Sequence, residues 1–164
     1  MNQFPKKKNK FVYRNLQQYA VAAQPKRKHT PFRIVYAGLL GVAQDIYSII
    51  ENIPFQSIGA EFHLYGGGNQ TEKIKEYINK HPGCFVYYHG YVKKEQIAEE
   101  LSRYDASIVP LTVAIKGAVP SKIYDLIPIG IPILFCGGGE GAEIVSKYYF
   151  GMVSKPHDFK QLHN

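Results

Sequence analysis

The chain has 164 residues, 45% of them hydrophobic and 20% charged, which suits one folded domain and excludes a chain disordered throughout. Its two cysteines, Cys84 and Cys136, are too few for a disulfide framework and show no zinc-ligand spacing, so they read as small buried hydrophobes in a reducing cytoplasm. The formal charge of +7 taken alone points to nucleic acid or an anionic membrane. The charge is unevenly placed, however. Residues 1–33 hold nine Lys or Arg and no acid, whereas the remaining residues carry eleven basic and thirteen acidic side chains. Residues 1–31 therefore read as a basic arm and residues 32–164 as a near-neutral body. The most apolar window, Ile123 to Phe135, is short and broken by Asp125, Pro128, Gly130 and Pro132, so no membrane span is expected. No apolar stretch of signal-peptide type follows the first lysines.

From Phe32 onward, short apolar runs alternate with amphipathic stretches. Phe32 to Ala37 predicts a strand, stopped by Gly38. Val42 to Ile53 predicts a helix, because Ile46, Ile49, Ile50 and Ile53 fall on one face. Ala60 to Tyr65 predicts a second strand ending in Gly66, Gly67 and Gly68, and Asn69 or Thr71 would cap a helix running to Asn79. Cys84 to Tyr88 predicts a third strand, and Lys93 to Tyr104 a helix carrying Ile97, Ala98 and Leu101. Ala106 to Val109 reads as a strand, Ser121 to Ile127 as a helix and Pro132 to Cys136 as a strand. Glu140 to Lys147 reads as a helix, Met152 to Ser154 as a last short strand, and Asp158 as the cap of a final helix on which the chain stops.

Strands alternating with helices imply right-handed crossovers and a parallel sheet covered on both faces, a doubly wound Rossmann-like α/β domain of about six strands. Ligands of such sheets bind beyond the carboxyl ends of the strands, where the strand order reverses. The residues just after each strand are therefore the candidates. Gly38 and Gly41 after the first strand, and Gly66 after the second, permit close approach to a phosphate or serve only as turn residues. Neither G-x-G-x-x-G nor a P-loop occurs. After the third strand, His89 lacks an evident acidic or nucleophilic partner and reads as structural or solvated, while Tyr91 would stack on a base or cap the core.

The richest segment follows the fourth strand. Pro120 suits the first position of a helix, and Ser121 and Lys122 fall in its first turn, where an ammonium, a hydroxyl and free N–H groups can converge on a diphosphate. Asp125 lies three residues on, hence on the same face, where a carboxylate can accept two ribose hydroxyls or simply pair with Lys122 in solvent. Gly139 and Glu140, opening the next helix, offer a further phosphate or sugar contact.

The ordered pieces Tyr-Ala-Gly-x-x-Gly (36–41), Tyr-Gly-Gly-Gly (65–68), His-Gly-Tyr-Val (89–92), Tyr-Asp-Ala-Ser-Ile-Val-Pro-Leu (104–111), Pro-Ser-Lys-Ile-Tyr-Asp (120–125), Gly-Ile-Pro-Ile-Leu (130–134) and Gly-Glu-Gly-Ala-Glu-Ile-Val (139–145) resemble the C-terminal, donor-binding domain of glycosyltransferase family 4. These are retaining, nucleotide-sugar-dependent enzymes of GT-B fold, common in bacterial capsule and lipopolysaccharide assembly. The resemblance implies that Gly41 approaches the donor phosphate, that the backbone of Val92 recognises the base, that Lys122 serves the diphosphate catalytically, and that Asp125 holds the ribose where the family usually has glutamate. An earlier family glutamate that contacts the transferred sugar is replaced by Gly117, and the resemblance implies Lys116 as the catalytic basic residue that some members carry near the fourth strand.

By the same resemblance the chain is one half of a GT-B enzyme. Residues 1–31 would come from the interdomain linker, and an absent N-terminal domain would bind a glycan or lipid-linked acceptor. A UDP-sugar is favoured as donor, with no cofactor and no essential metal, since no Asp-x-Asp motif occurs. The expected setting is the cytoplasm, with peripheral contact at the inner face of the plasma membrane. Two alternatives compete. Gly117 raises a non-catalytic sugar-nucleotide-binding domain. The arm raises a nucleic-acid-binding α/β domain, against which stand the acidic body and the absence of an RRM or KH pattern.

Overall fold

A computed structural model of the chain describes residues 29–113 and 119–163. The elements follow as β1 (Phe32–Leu39), α1 (Ile46–Asn52), β2 (Ala60–Gly67), α2 (Thr71–Lys80), β3 (Val86–Gly90), α3 (Ile97–Leu101), β4 (Ala106–Pro110), α4 (Ser121–Leu126), β5 (Ile133–Cys136), α5 (Glu140–Lys147), β6 (Gly151–Ser154) and α6 (Phe159–His163). The six strands form one wholly parallel sheet in the order β3-β2-β1-β4-β5-β6. The order reverses between β1 and β4, as the sequence predicts for a Rossmann-like fold.

Side chains alternate across each strand, so the sheet builds two cores. Ile34 and Tyr36 of β1 face one core, with Ile46, Ile49 and Ile50 of α1 and Ile74 of α2. Val35 faces the other, with Leu101 of α3, Ile123 and Leu126 of α4 and Val145 of α5. Phe62 is fully buried on the first side and stacks on Phe55 at a centroid distance of 5.0 Å. Both cysteines are free; Cys136 is buried, its thiol pushed up to about 11 by burial, and Cys84 is half-buried.

Several predicted boundaries move, each for a local reason. The first helix starts at Ile46 rather than Val42, because Asp45 takes a left-handed conformation (φ 43°), held by the Gln70 amide 3.1 Å from its carboxylate. The helix expected over 93–104 shrinks to Ile97–Leu101, the stretch holding the packed Ala98 and Leu101. β3 starts after Phe85, itself at φ 59°, so Cys84 lies outside the strand. Pro120 occupies the position before the helix, with ψ 124°, and Ser121 is the first helical residue. Asn69 caps nothing; the Thr71 hydroxyl instead accepts the Gly68 N–H at 2.8 Å. Asp158 does cap the last helix, accepting the Gln161 N–H at 3.2 Å.

The two-core arrangement fixes an expected pair of stabilities. Phe62→Ala should cost about 3–5 kcal/mol in denaturant-induced unfolding. Phe32→Ala, at a residue 40% exposed, should cost less than about 1 kcal/mol. Equal losses would contradict the placement of the core.

Candidate functional site

At the reversal point, on the face covered by α3 and α4, lies a cavity of about 440 Å³. Its sheet side is the carboxyl ends of β1 and β2, including Gly38 and Gly66, and its mouth carries Tyr91 and Val92. Leu101, Leu126 and Ile129 make it largely apolar, while Lys122, Asp125 and Ser107 supply polar groups. Two glycines open it. A Cβ on Gly38 would stand 2.1 Å from Lys122 Nζ, and one on Gly67 would stand 2.1 Å from Tyr91 Oη. Either side chain would displace the residue it meets.

Lys122 and Asp125 share the cavity, as their spacing on one helix face predicts. The Lys122 ammonium donates to the Ala37 carbonyl at 2.5 Å. Burial lowers its pKa, and the Asp125 carboxylate partly offsets this. Burial raises the pKa of Asp125, against the pull of Lys122 and then Lys94. A second cavity of about 340 Å³ lies on the other side of Lys122, bounded by Tyr36, Gln44, Pro120 and Ser121. Lys122 lines both spaces.

The outer wall of the first cavity is a polar and aromatic ladder that sequence reasoning missed. Tyr65 lines the cavity, and its hydroxyl meets Glu100 at 2.7 Å and Tyr104 at 2.8 Å. His89 stacks on Tyr65 at 4.7 Å, and its Nε2 lies 2.9 Å from His63 Nδ1. His63 Nε2 is 3.3 Å from Glu61, which also accepts from Arg33 Nε at 3.2 Å. His89 therefore has structural partners, in line with its reading as a structural residue. The alternation Glu61, His63, Tyr65 along one strand face was the available signal.

The remaining candidates are placed less centrally. Tyr91 is 83% exposed at the mouth and caps no core. Gly41 is buried in the turn after β1, where its carbonyl accepts the Asp45 N–H at 3.0 Å, and it lines neither cavity. Gly139, at φ 72°, precedes α5 and Glu140 begins it; they too line neither cavity. Lys116 and Gly117 lie outside the described residues. Among the described residues, no group of three or more His, Cys, Asp or Glu is placed to hold a metal ion, and no helix is long and apolar enough to cross a membrane.

A single parallel sheet in this order, with helices on both faces and a cavity at its reversal point, is the α/β Rossmann-like half of a GT-B fold. The chain belongs to the glycosyl transferases group 1, whose family model matches residues 31–164. No curated protein matches it in sequence. It is similar in structure to S. aureus TarM, solved with fondaparinux, alpha-GlcNAc-glycerol and UDP (TM-score 0.64, 19% identity), over 85% of this chain and 28% of that one. It is similar also to Anabaena HepE, solved with UDP-glucose (TM-score 0.64, 16% identity), over 81% of this chain and 37% of that one. The catalytic domain of the Helicobacter pylori cholesterol-alpha-glucosyltransferase matches with a TM-score of 0.58 and 19% identity, over 82% of both chains. The chain thus spans well under half the length of TarM and HepE.

The ladder behind Tyr65 carries a pH dependence. Burial, the leading cause, holds both His63 and His89 below the ordinary imidazole value of 6.5. The unfolded chain therefore takes up protons that the folded chain resists. Stability present above that value is lost as the pH falls through it. Replacing both, as His63→Gln with His89→Gln, should flatten the change in denaturant midpoint between about pH 7 and about pH 5. A slope matching the unsubstituted chain would contradict this.

Proposed function

We propose that the chain is the donor-binding half of a retaining glycosyltransferase that uses a nucleoside-diphosphate sugar, with UDP as the favoured nucleotide. One observation carries this reading: an apolar cavity at the reversal point of the sheet holds the Lys122 ammonium and the Asp125 carboxyl on one helix face. In this reading the base and ribose occupy the larger cavity, with the ribose hydroxyls on Asp125 and the base beside the backbone of Val92. The diphosphate lies against Lys122, and the sugar points into the smaller cavity beyond it.

The chemistry follows from the setting. When the glycosidic bond to the donor breaks, negative charge gathers on the departing diphosphate. An ammonium fixed in a partly desolvated site stabilises that charge more than one in water would, and no reorganisation is needed at the moment of reaction. The Ala37 carbonyl takes only one of the three ammonium protons, leaving two for phosphate oxygens. Structurally similar proteins solved with UDP or UDP-glucose support the choice of nucleotide.

The acceptor, a glycan or a lipid-linked intermediate of surface-polysaccharide assembly, would be held by another part of the enzyme. The basic residues before Arg33 suit the anionic inner face of a membrane carrying such a lipid.

Calorimetric titration with UDP tests the donor site. The unsubstituted chain should bind, and Lys122→Ala should weaken binding by about tenfold to a hundredfold, the worth of a charge-assisted hydrogen bond. No binding at millimolar UDP would remove the donor-site reading, and an unchanged affinity of Lys122→Ala would remove the phosphate role of that residue.

A further inference from the structure

Ser107 belongs to β4, in register with Val35 of β1 on one side and Ile133 of β5 on the other, deep in the centre of the sheet. It is 3% exposed, yet it lines the larger cavity. Its hydroxyl has no hydrogen-bond partner among the described residues. It is not sealed off either, unlike Gln44 Oε1 and Ser154 Oγ, the described buried polar atoms that lack a partner. Polar groups this deep are ordinarily paired, since an unpaired one costs about 1–3 kcal/mol. Here the open side of the hydroxyl is the cavity itself.

A count of donors and acceptors says what would complete it. Lining the same cavity are Lys122, engaged with the Ala37 carbonyl, and Tyr65, whose hydroxyl is engaged with Glu100 and Tyr104. The Tyr91 hydroxyl packs against Gly67 at the mouth. Asp125 as a carboxylate only accepts. A ribose brings two hydroxyls, each one donor and two lone pairs. A carboxylate can take both protons, but it leaves the sugar oxygens without donors once they leave water. Ser107 is the free hydroxyl donor at that depth.

We propose that Ser107 is a specificity-determining residue of the donor site, donating its hydroxyl proton to a ribose hydroxyl oxygen whose own proton goes to Asp125. The inference rests on the donor-site reading above and extends it to a residue on a central strand that no helix-terminal or glycine-loop pattern marks. The paired groups distinguish a ribonucleotide from its deoxy analogue, because loss of that sugar hydroxyl leaves Ser107 without its acceptor and Asp125 with one proton donor fewer.

The test is titration of the full chain and of Ser107→Ala with UDP, 2′-deoxy-UDP and 3′-deoxy-UDP, with thermal unfolding recorded for both proteins. Ser107→Ala should bind UDP about three- to tenfold more weakly than the unsubstituted chain, the net worth of one neutral hydrogen bond. Against one of the two deoxy analogues the substitution should make no difference, since the partner is already gone. An unchanged affinity for UDP, or an equal loss against all three nucleotides, overturns the assignment while leaving the donor site standing. Failure of the unsubstituted chain to bind any of the three overturns both. A Ser107→Ala unfolding temperature matching the unsubstituted chain, together with the selective loss, excludes a merely structural role.

Discussion

Every strand among the described residues runs the same way, and that one constraint organises everything else. Parallel neighbours cannot be joined by tight turns, so each link must carry the chain back along the sheet, and a helix is the compact way to do it. The links start at one end of the sheet and finish at the other. All carboxyl ends consequently gather at one rim, with the starts of the following connections. Between β1 and β4 the chain has laid strands outward in one direction and then returned to build in the other. No link crosses directly between the loops that leave these two strands, and the cavity occupies that gap.

Lys122 shows how far the fold commits itself to that gap. Placing an ammonium where burial lowers its pKa works against stability. The charge is compensated by the Ala37 carbonyl on one side and Asp125 on the other, and Gly38 leaves room for its terminal atoms. An apolar side chain of similar length would fit the surrounding hydrophobic core with no such compensation. A half-buried cation placed between two cavities fits selection for what it binds more readily than selection for stability.

Much of the architecture was legible in the sequence. Strands buried on both faces are nearly continuous apolar runs, and all six were expected at nearly the observed positions. Helix starts were less legible. Asp45 bends left-handed within an apolar periodicity that continues through it, and its partner Gln70 is 25 residues away. The short α3 has the same cause: periodicity reports which side chains pack, not where the backbone first becomes helical. In the candidate site, the placement of Lys122 and Asp125 in one cavity was readable because a helix brings residues three apart onto one face. Ser107 was not, since its importance depends on the register of β4 against β1 and on the space beneath α4. The His63–His89 pair required the pairing of β2 with β3, which no local pattern gives.

The lowered proton affinity of the Lys122 ammonium has a thermodynamic corollary. A doubly charged phosphate chain settling beside it would restore the proton affinity that burial removed, so the amine would be charged over a wider range of pH in the complex than in the empty protein. At alkaline pH, binding and proton uptake then become one event. The heat of binding would then depend on the ionisation enthalpy of the buffer, and release of such a phosphate chain would hand a proton back to solvent.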